Sequence, residues 1–249
     1  MVCVLRVTGG LFLLMAAVAC AGAPEILVGS TTTVFEATTT STSTTTTTTV
    51  ATTTTTVPDT TTTTFNSSIR NVTAAELGHS WRTGCPVRPS DLRMVEFNYR
   101  DFGGATRVGS LVVHRDQADR IVQVFDALFE AGSPIESVIP IGELPEDAED
   151  QPDYSNTSGF HCRFVEGTTR WSEHAYGRAV DLNPHLNPLV QGDYVWPSGA
   201  TRYVDRTLGE PGMIVEGGVV VQAFDAVGWG WGGRWNTLKD WHHFSSTNR

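Results

Sequence analysis

From Ser30 to Thr64 the chain is dominated by threonine, with serine, valine and alanine interspersed. Such a tract cannot bury enough apolar surface to offset the conformational entropy of ordering it, so it is expected to be a disordered tether. Whatever folds must do so beyond it, from about Asn66 to Arg249, a length ample for one hydrophobic core. Threonine-rich stalks are also candidate O-glycosylation sites. The position of this one, between a leader and a folded part, suits a spacer.

Residues 1–23 read as an export signal: Arg6 is a sparse positive start, Leu11 to Val18 an apolar run, and small residues surround a cleavage point. The apolar run is too short for a comfortable membrane span. Cleavage before Cys20 would leave a cysteine for lipidation and tether the chain to the outer face of a membrane; ordinary cleavage at an A-x-A site is the alternative, because Ala17 stands where lipoprotein signals carry a larger apolar residue. The expected organisation is therefore a signal peptide at 1–23, a linker at 24–65 and one domain at 66–249, at the cell envelope or secreted. The balance of 17 Lys+Arg against 27 Asp+Glu, a formal charge of −10, argues against nucleic acid, since phosphate binding needs clustered positive charge.

Within the domain, Leu92 to Tyr99 and Val108 to His114 have the alternation and β-branched content of strands. Ile121, Val124, Phe125, Leu128 and Phe129 recur at helical spacing between Asp116 and Ala131, and Gly132 offers a stop. Ser133 to Ile141 reads as extended, Ala179 to Leu182 as a short strand carrying Asp181 inward, and Val219 to Val227 as a second helix. The acidic run from Glu143 to Asp153 reads as a solvated surface loop, with calcium binding the weaker alternative. Helices mixed with short antiparallel strands make the expected class α+β.

Two polar clusters carry the chemistry. Ser172 to Asp181, S-E-H-A-Y-G-R-A-V-D, holds a histidine and an aspartate on either side of Gly177, and Asp240-Trp241-His242-His243-Phe244 lies near Arg249. His174, Asp181 and His243 are the kind of set that holds a catalytic zinc, three protein ligands with the fourth position left to water. Asp240, three residues before His243, is then the spare carboxylate that takes a proton from water and passes it to a leaving amine.

In this order and spacing the clusters resemble the zinc peptidases of bacterial cell walls, the VanY-like D-alanyl-D-alanine carboxypeptidases and the endolysin-type L-alanyl-D-glutamate peptidases. The likeness extends to Asn156-Thr157-Ser158-Gly159-Phe160-His161-Cys162-Arg163, and runs from about Trp81 onward. It implies a single α+β zinc-peptidase domain of the DD-peptidase/Hedgehog-like kind, with a small antiparallel sheet and flanking helices. One bound zinc ion and peptidoglycan stem peptides as substrate follow from the same likeness. It also implies that Arg163 binds a substrate carboxylate or the developing oxyanion, for which a fixed guanidinium fork is suited; a structural salt bridge is the plainer reading. Aspartate at 240, where many carboxypeptidases of this kind have glutamate, looks more like the endopeptidase branch.

Cys3 and Cys20 belong to the leader, which leaves Cys85 and Cys162 to pair in an oxidising compartment. His185 follows Pro184 and reads as a surface or supporting residue. His242, in a strand, would point away from His243 and act as a supporting donor. Trp229, Trp231, Trp235 and Trp241, interleaved with glycines, either line a substrate cleft, with Trp241 and His242 in it, or cover a core edge. Besides the peptidase, two readings stay open: a wall-binding module that keeps the metal-site fold without turnover, and a hydrolase of another exported substrate.

Overall fold

The alternating segment at 92–114 becomes the spine of the molecule in a computed structural model that describes residues 63–249. The signal-like segment, Cys20 and nearly all of the threonine tract lie outside the described residues. Three strands, β1 (Ser67–Asn71), β2 (Leu92–Arg100) and β3 (Thr106–His114), form an antiparallel sheet in that order. The β2–β3 register runs from Leu92 opposite His114 to Arg100 opposite Thr106. Its turn is closed by Asp101, whose Oδ1 accepts from the amides of Gly103 and Ala105.

Period-2 alternation sends this hairpin into two cores at once. Val95, Phe97, Tyr99, Leu111 and Val113 enter the larger one. Leu92, Met94 and Val112 enter a smaller one with Val72, Leu77, Phe160 and Cys162. Over the larger core lies helix α1 (Ala118–Glu130), whose apolar stripe of Ile121, Val124, Phe125, Leu128 and Phe129 is buried, with Phe125 stacked on Phe97 at 4.1 Å between ring centroids. The helix sits where the 3.6-residue spacing put it.

The rest of the chain is short elements: β4 (Ser137–Val138), β5 (Asn156–Thr157), β6 (Ala179–Asp181), β7 (Leu189–Gln191), β8 (Tyr194–Trp196), helix α2 (Val219–Ala226), β9 (Gly230–Trp231), β10 (Lys239–Asp240) and β11 (His243–Ser245). Strands β6, β11 and β9 make a second antiparallel sheet, and β10, β7 and β8 a third; β4 and β5 pair in parallel. The class is α+β, a single domain of small antiparallel sheets and flanking helices, with the β4–β5 pair as the parallel exception. No helix among the described residues is long and apolar enough to cross a membrane.

Two expectations change. Ser133 to Ile141 is strand only at Ser137–Val138, because Pro134 and Pro140 have no N–H to give to a ladder. The acidic run folds into two 3₁₀ turns; most of its carboxylates are exposed, but Glu149 turns inward and sits 2.9 Å from His161 Nδ1. Burial opposes ionisation of Glu149, yet its bond to His161 and the nearby charges of His161 and Arg163 hold its carboxyl below the usual range.

Cys85 and Cys162 are joined, and the bond closes the smaller core, with Cys162 buried and Cys85 packed on it. This core has far fewer buried residues than the larger one, so the cross-link matters to it. Closing a loop between positions 77 residues apart removes chain entropy from the unfolded state, an effect on the order of 4 kcal/mol in the polymer model. A Cys85→Ser/Cys162→Ser double variant should therefore unfold in urea with a stability lower by about 3–5 kcal/mol. A loss under about 1 kcal/mol would mean that packing alone holds the smaller core.

Candidate metal centre

The motif S-x-H-x-x-G-x-A-x-D folds as a 3₁₀ turn feeding a strand. Ser172 Oγ caps the turn by accepting from the His174 amide (3.3 Å), and the turn spans Glu173–Tyr176. Gly177 ends it with φ 65°, and its carbonyl accepts from the His114 amide at 2.7 Å. A Cβ at Gly177 would lie 2.6 Å from that same His114 nitrogen, so both conformation and space exclude other residues. The chain then enters β6, where Ala179 and Val180 are fully buried and Asp181 stands directly opposite His243 of β11. A register-fixed cross-strand pair thus supplies two of the three candidate ligands, and the capped turn supplies the third.

Among the described residues, the ligand atoms of His174, Asp181 and His243 all lie within 4.8 Å of one another, and all three residues are buried. His174 Nε2 is 3.1 Å from Asp181 Oδ2 and 3.2 Å from His243 Nδ1, and His243 Nδ1 is 3.0 Å from Asp181 Oδ1. A tetrahedral ion with ligand bonds of about 2.0–2.1 Å puts its ligand atoms roughly 3.3 Å apart, so the spacing fits.

The far side of each ring fixes what the near side offers. His174 Nδ1–H donates to the Gly159 carbonyl at 2.6 Å, and His243 Nε2–H donates to the main-chain oxygen of Arg249 at 2.9 Å. Both rings therefore turn their remaining nitrogen toward Asp181. Three electron-pair donors converging in a buried place need a positive charge among them. Burial works against a charged His243, but its hydrogen bond and charge interaction with Asp181 raise its pKa above the ordinary value. Burial likewise opposes ionisation of Asp181, and the charges of His174 and His242 hold its carboxyl well below the usual range. A divalent cation would supply the positive charge at donor spacings already close to those of a tetrahedral site.

Asp240 is not part of the converging set. It lies on β10 opposite Leu189, is 7 % exposed, and is approached closely by Gly232, where a Cβ would come within 2.5 Å of the Asp240 carbonyl oxygen. Its Oδ1 has no hydrogen-bond partner but faces His242 Nε2 at 2.9 Å, an ion-pair distance without hydrogen-bond alignment. His242 Nδ1–H donates to the Asn187 carbonyl at 2.6 Å. Burial disfavours its charge, but the Asp240 and Asp181 carboxylates outweigh burial and raise the ring to about 9. His242 does not point away from His243 as expected. Residues 241–242 form a bend and the strand begins at His243, so the two-residue alternation does not yet apply and both rings line one cavity.

That cavity, about 600 Å³, has the three converging residues, Asp240 and His242 in its lining, with Arg163, Trp171, Trp196 and Trp235 among its walls. Arg163 has no salt-bridge partner among the described residues, so the plainer reading of it as a structural ion pair is not what the fold makes. Phe164 and Trp171 stack at 3.9 Å on the turn that follows Arg163. Trp241 lies outside the cavity: it packs against the larger core, and the Arg206 guanidinium sits 4.8 Å over its ring. Of the glycine-rich tryptophans, Trp229 and Trp231 are core and Trp235 reaches the cleft, 5.3 Å from the His243 ring. His185 lies in a separate cavity of about 660 Å³ that holds none of the converging residues. Sequence reading missed Glu149, Trp171 and Trp196 as cavity residues, and Gly159 and Arg249 as main-chain partners. No local pattern marks a main-chain acceptor.

No curated protein and no solved structure shows a significant match to the chain. Arg163 falls just before the segment that a family model does match. That model is described as D-alanyl-D-alanine carboxypeptidase, it covers residues 166–246, and the match supports the VanY-like family for the segment that carries all three converging residues and Asp240.

Proposed function

We propose that this chain is an exported zinc-dependent peptidase that hydrolyses amide bonds in peptidoglycan stem peptides. The observation that carries the reading is the convergence of His174 Nε2, Asp181 and His243 Nδ1 at 3.0–3.2 Å in a cavity that also holds a separate buried carboxylate, Asp240. When bound to the first three, zinc lowers the pKa of water to about 7 and polarises a carbonyl. Asp240, whose carboxylate lines the cavity beside the three converging residues, accepts the proton that the attacking water gives up and returns it to the nitrogen of the leaving amine. His242 stands beside Asp240, its Nε2 2.9 Å from the carboxylate and its Nδ1 tied to the Asn187 carbonyl, and so orients that group. Arg163, free of an ion-pair partner among the described residues, holds a substrate carboxylate or the developing oxyanion. Trp171, Trp196 and Trp235 give the peptide apolar wall and keep bulk water from the reacting amide.

Two kinds of bond fit this machinery, the terminal D-alanyl-D-alanine bond and the internal L-alanyl-D-glutamate bond, and aspartate at position 240 favours the second. Export belongs to the same reading: residues 1–23 direct the chain out, Cys20 either anchors it through lipid or is passed over by ordinary cleavage, and the threonine tract gives the domain reach. Mass spectrometry of purified muropeptides incubated with the protein identifies the bond cut. Intact muropeptides under varied metal and pH, with peptidoglycan still bound, would favour the wall-binding module.

Elemental analysis should find about one zinc per chain, and His174→Ala or His243→Ala should abolish it. Full zinc in both variants would rule out the ligand set. Asp240→Asn should keep zinc and fold while muropeptide hydrolysis falls by roughly 10²- to 10⁴-fold, the range for losing a general base. Undiminished cleavage by that variant, in an assay where the wild type is active, would remove Asp240 from the mechanism.

A further inference from the structure

The His243 ring can offer Nδ1 to a metal only if its other nitrogen keeps its proton and the ring cannot turn. The partner that fixes both is an odd one, a main-chain oxygen of Arg249, the last residue of the sequence, six residues further along an exposed turn. Left to itself such a segment frays, and a frayed acceptor fixes nothing. Here it is held by a buried side chain. Ser245, fully buried on β11, receives the Arg249 amide on Oγ at 2.9 Å and donates its hydroxyl proton to the Arg249 main-chain oxygen at 2.9 Å. That one oxygen thus accepts from Ser245 Oγ–H and His243 Nε2–H together. Asn248 makes the turn possible with φ 57°, a left-handed conformation that asparagine tolerates and β-branched residues resist.

We propose that Ser245 is a positioning residue of the metal centre: by clamping the main chain at Arg249 it holds the His243 tautomer and ring orientation that present Nδ1 beside Asp181 and His174. This rests on the metal-binding reading above. Ser245 touches neither ligand atoms nor substrate and acts only through the Arg249 oxygen it anchors. Partners of this kind, one bond removed from the ligand, typically change metal affinity by 10- to 100-fold when lost.

The test uses the whole chain and zinc itself as probe, with affinity measured by competition against a chromophoric chelator. Ser245→Ala should raise the zinc Kd about 10- to 100-fold, and in ¹⁵N-resolved spectra of the zinc-loaded protein the protected His243 Nε2–H resonance should broaden or disappear. Asn248→Val, which strains the exposed turn and leaves the buried strand alone, should shift both readouts in the same direction and covers the case of a poorly folding serine variant. Variants that melt lower yet bind zinc with wild-type affinity and keep the Nε2–H resonance overturn the clamp and leave the metal centre standing. A wild-type chain that binds no zinc overturns both.

Discussion

The pairing of β6 with β11 is the constraint on which the site depends. It sets Asp181 directly across from His243, and in an antiparallel pair directly opposed residues are the closest that two strands can bring side chains. A slip of β11 by one position would turn His243 to the other face, away from Asp181, and dissolve the cluster. The register is protected from both ends. Ser158 bridges to Asp181 on the outer side of β6, and Phe244, fully buried between Asp181's neighbours and β9, stacks on Phe224 of α2 at 3.9 Å. The large core therefore does more than stabilise the fold: its packing fixes the alignment of the ligands.

This arrangement works against stability in the absence of an ion. Two imidazole lone pairs and a carboxylate held at 3.0–3.2 Å inside a buried place repel unless a proton or a cation sits among them. The fold holds them there with groups that have nothing to do with the ion: a capped turn for His174, a strand pair for Asp181 and His243, and main-chain oxygens behind both rings. Preorganisation of that kind lowers the reorganisation needed on binding, and the same oxygens decide which nitrogen each ring presents.

The smaller core serves the other half of the chemistry. The cross-link at Cys162 and the Arg82 bond to the Cys162 carbonyl, at 2.7 Å, hold the residue just before Arg163. Glu149 and His161 close the adjacent wall. The arginine side chain thereby stays free of ion pairs while its backbone is tied down, which suits a group meant for a ligand that comes and goes.

The sequence by itself determined the elements with strong periodicity and the residues with strong chemistry. The β2–β3 hairpin and α1 were legible because alternation and helical spacing are local properties of the chain, and His174, Asp181 and His243, which converge, could be singled out because few residue types bind metals and their spacing resembles a family motif. Tertiary structure alone decided the rest. His242 joins the cavity because the chain bends before it, Glu149 leaves solvent because His161 waits for it, and Trp241 is withdrawn into the core while Trp171 and Trp196 take the cleft. Each of these depends on contacts between segments far apart in the chain, and no local pattern carries them. The acceptors behind the two imidazoles are main-chain oxygens, which every residue possesses, so only the folded geometry could single out Gly159 and Arg249.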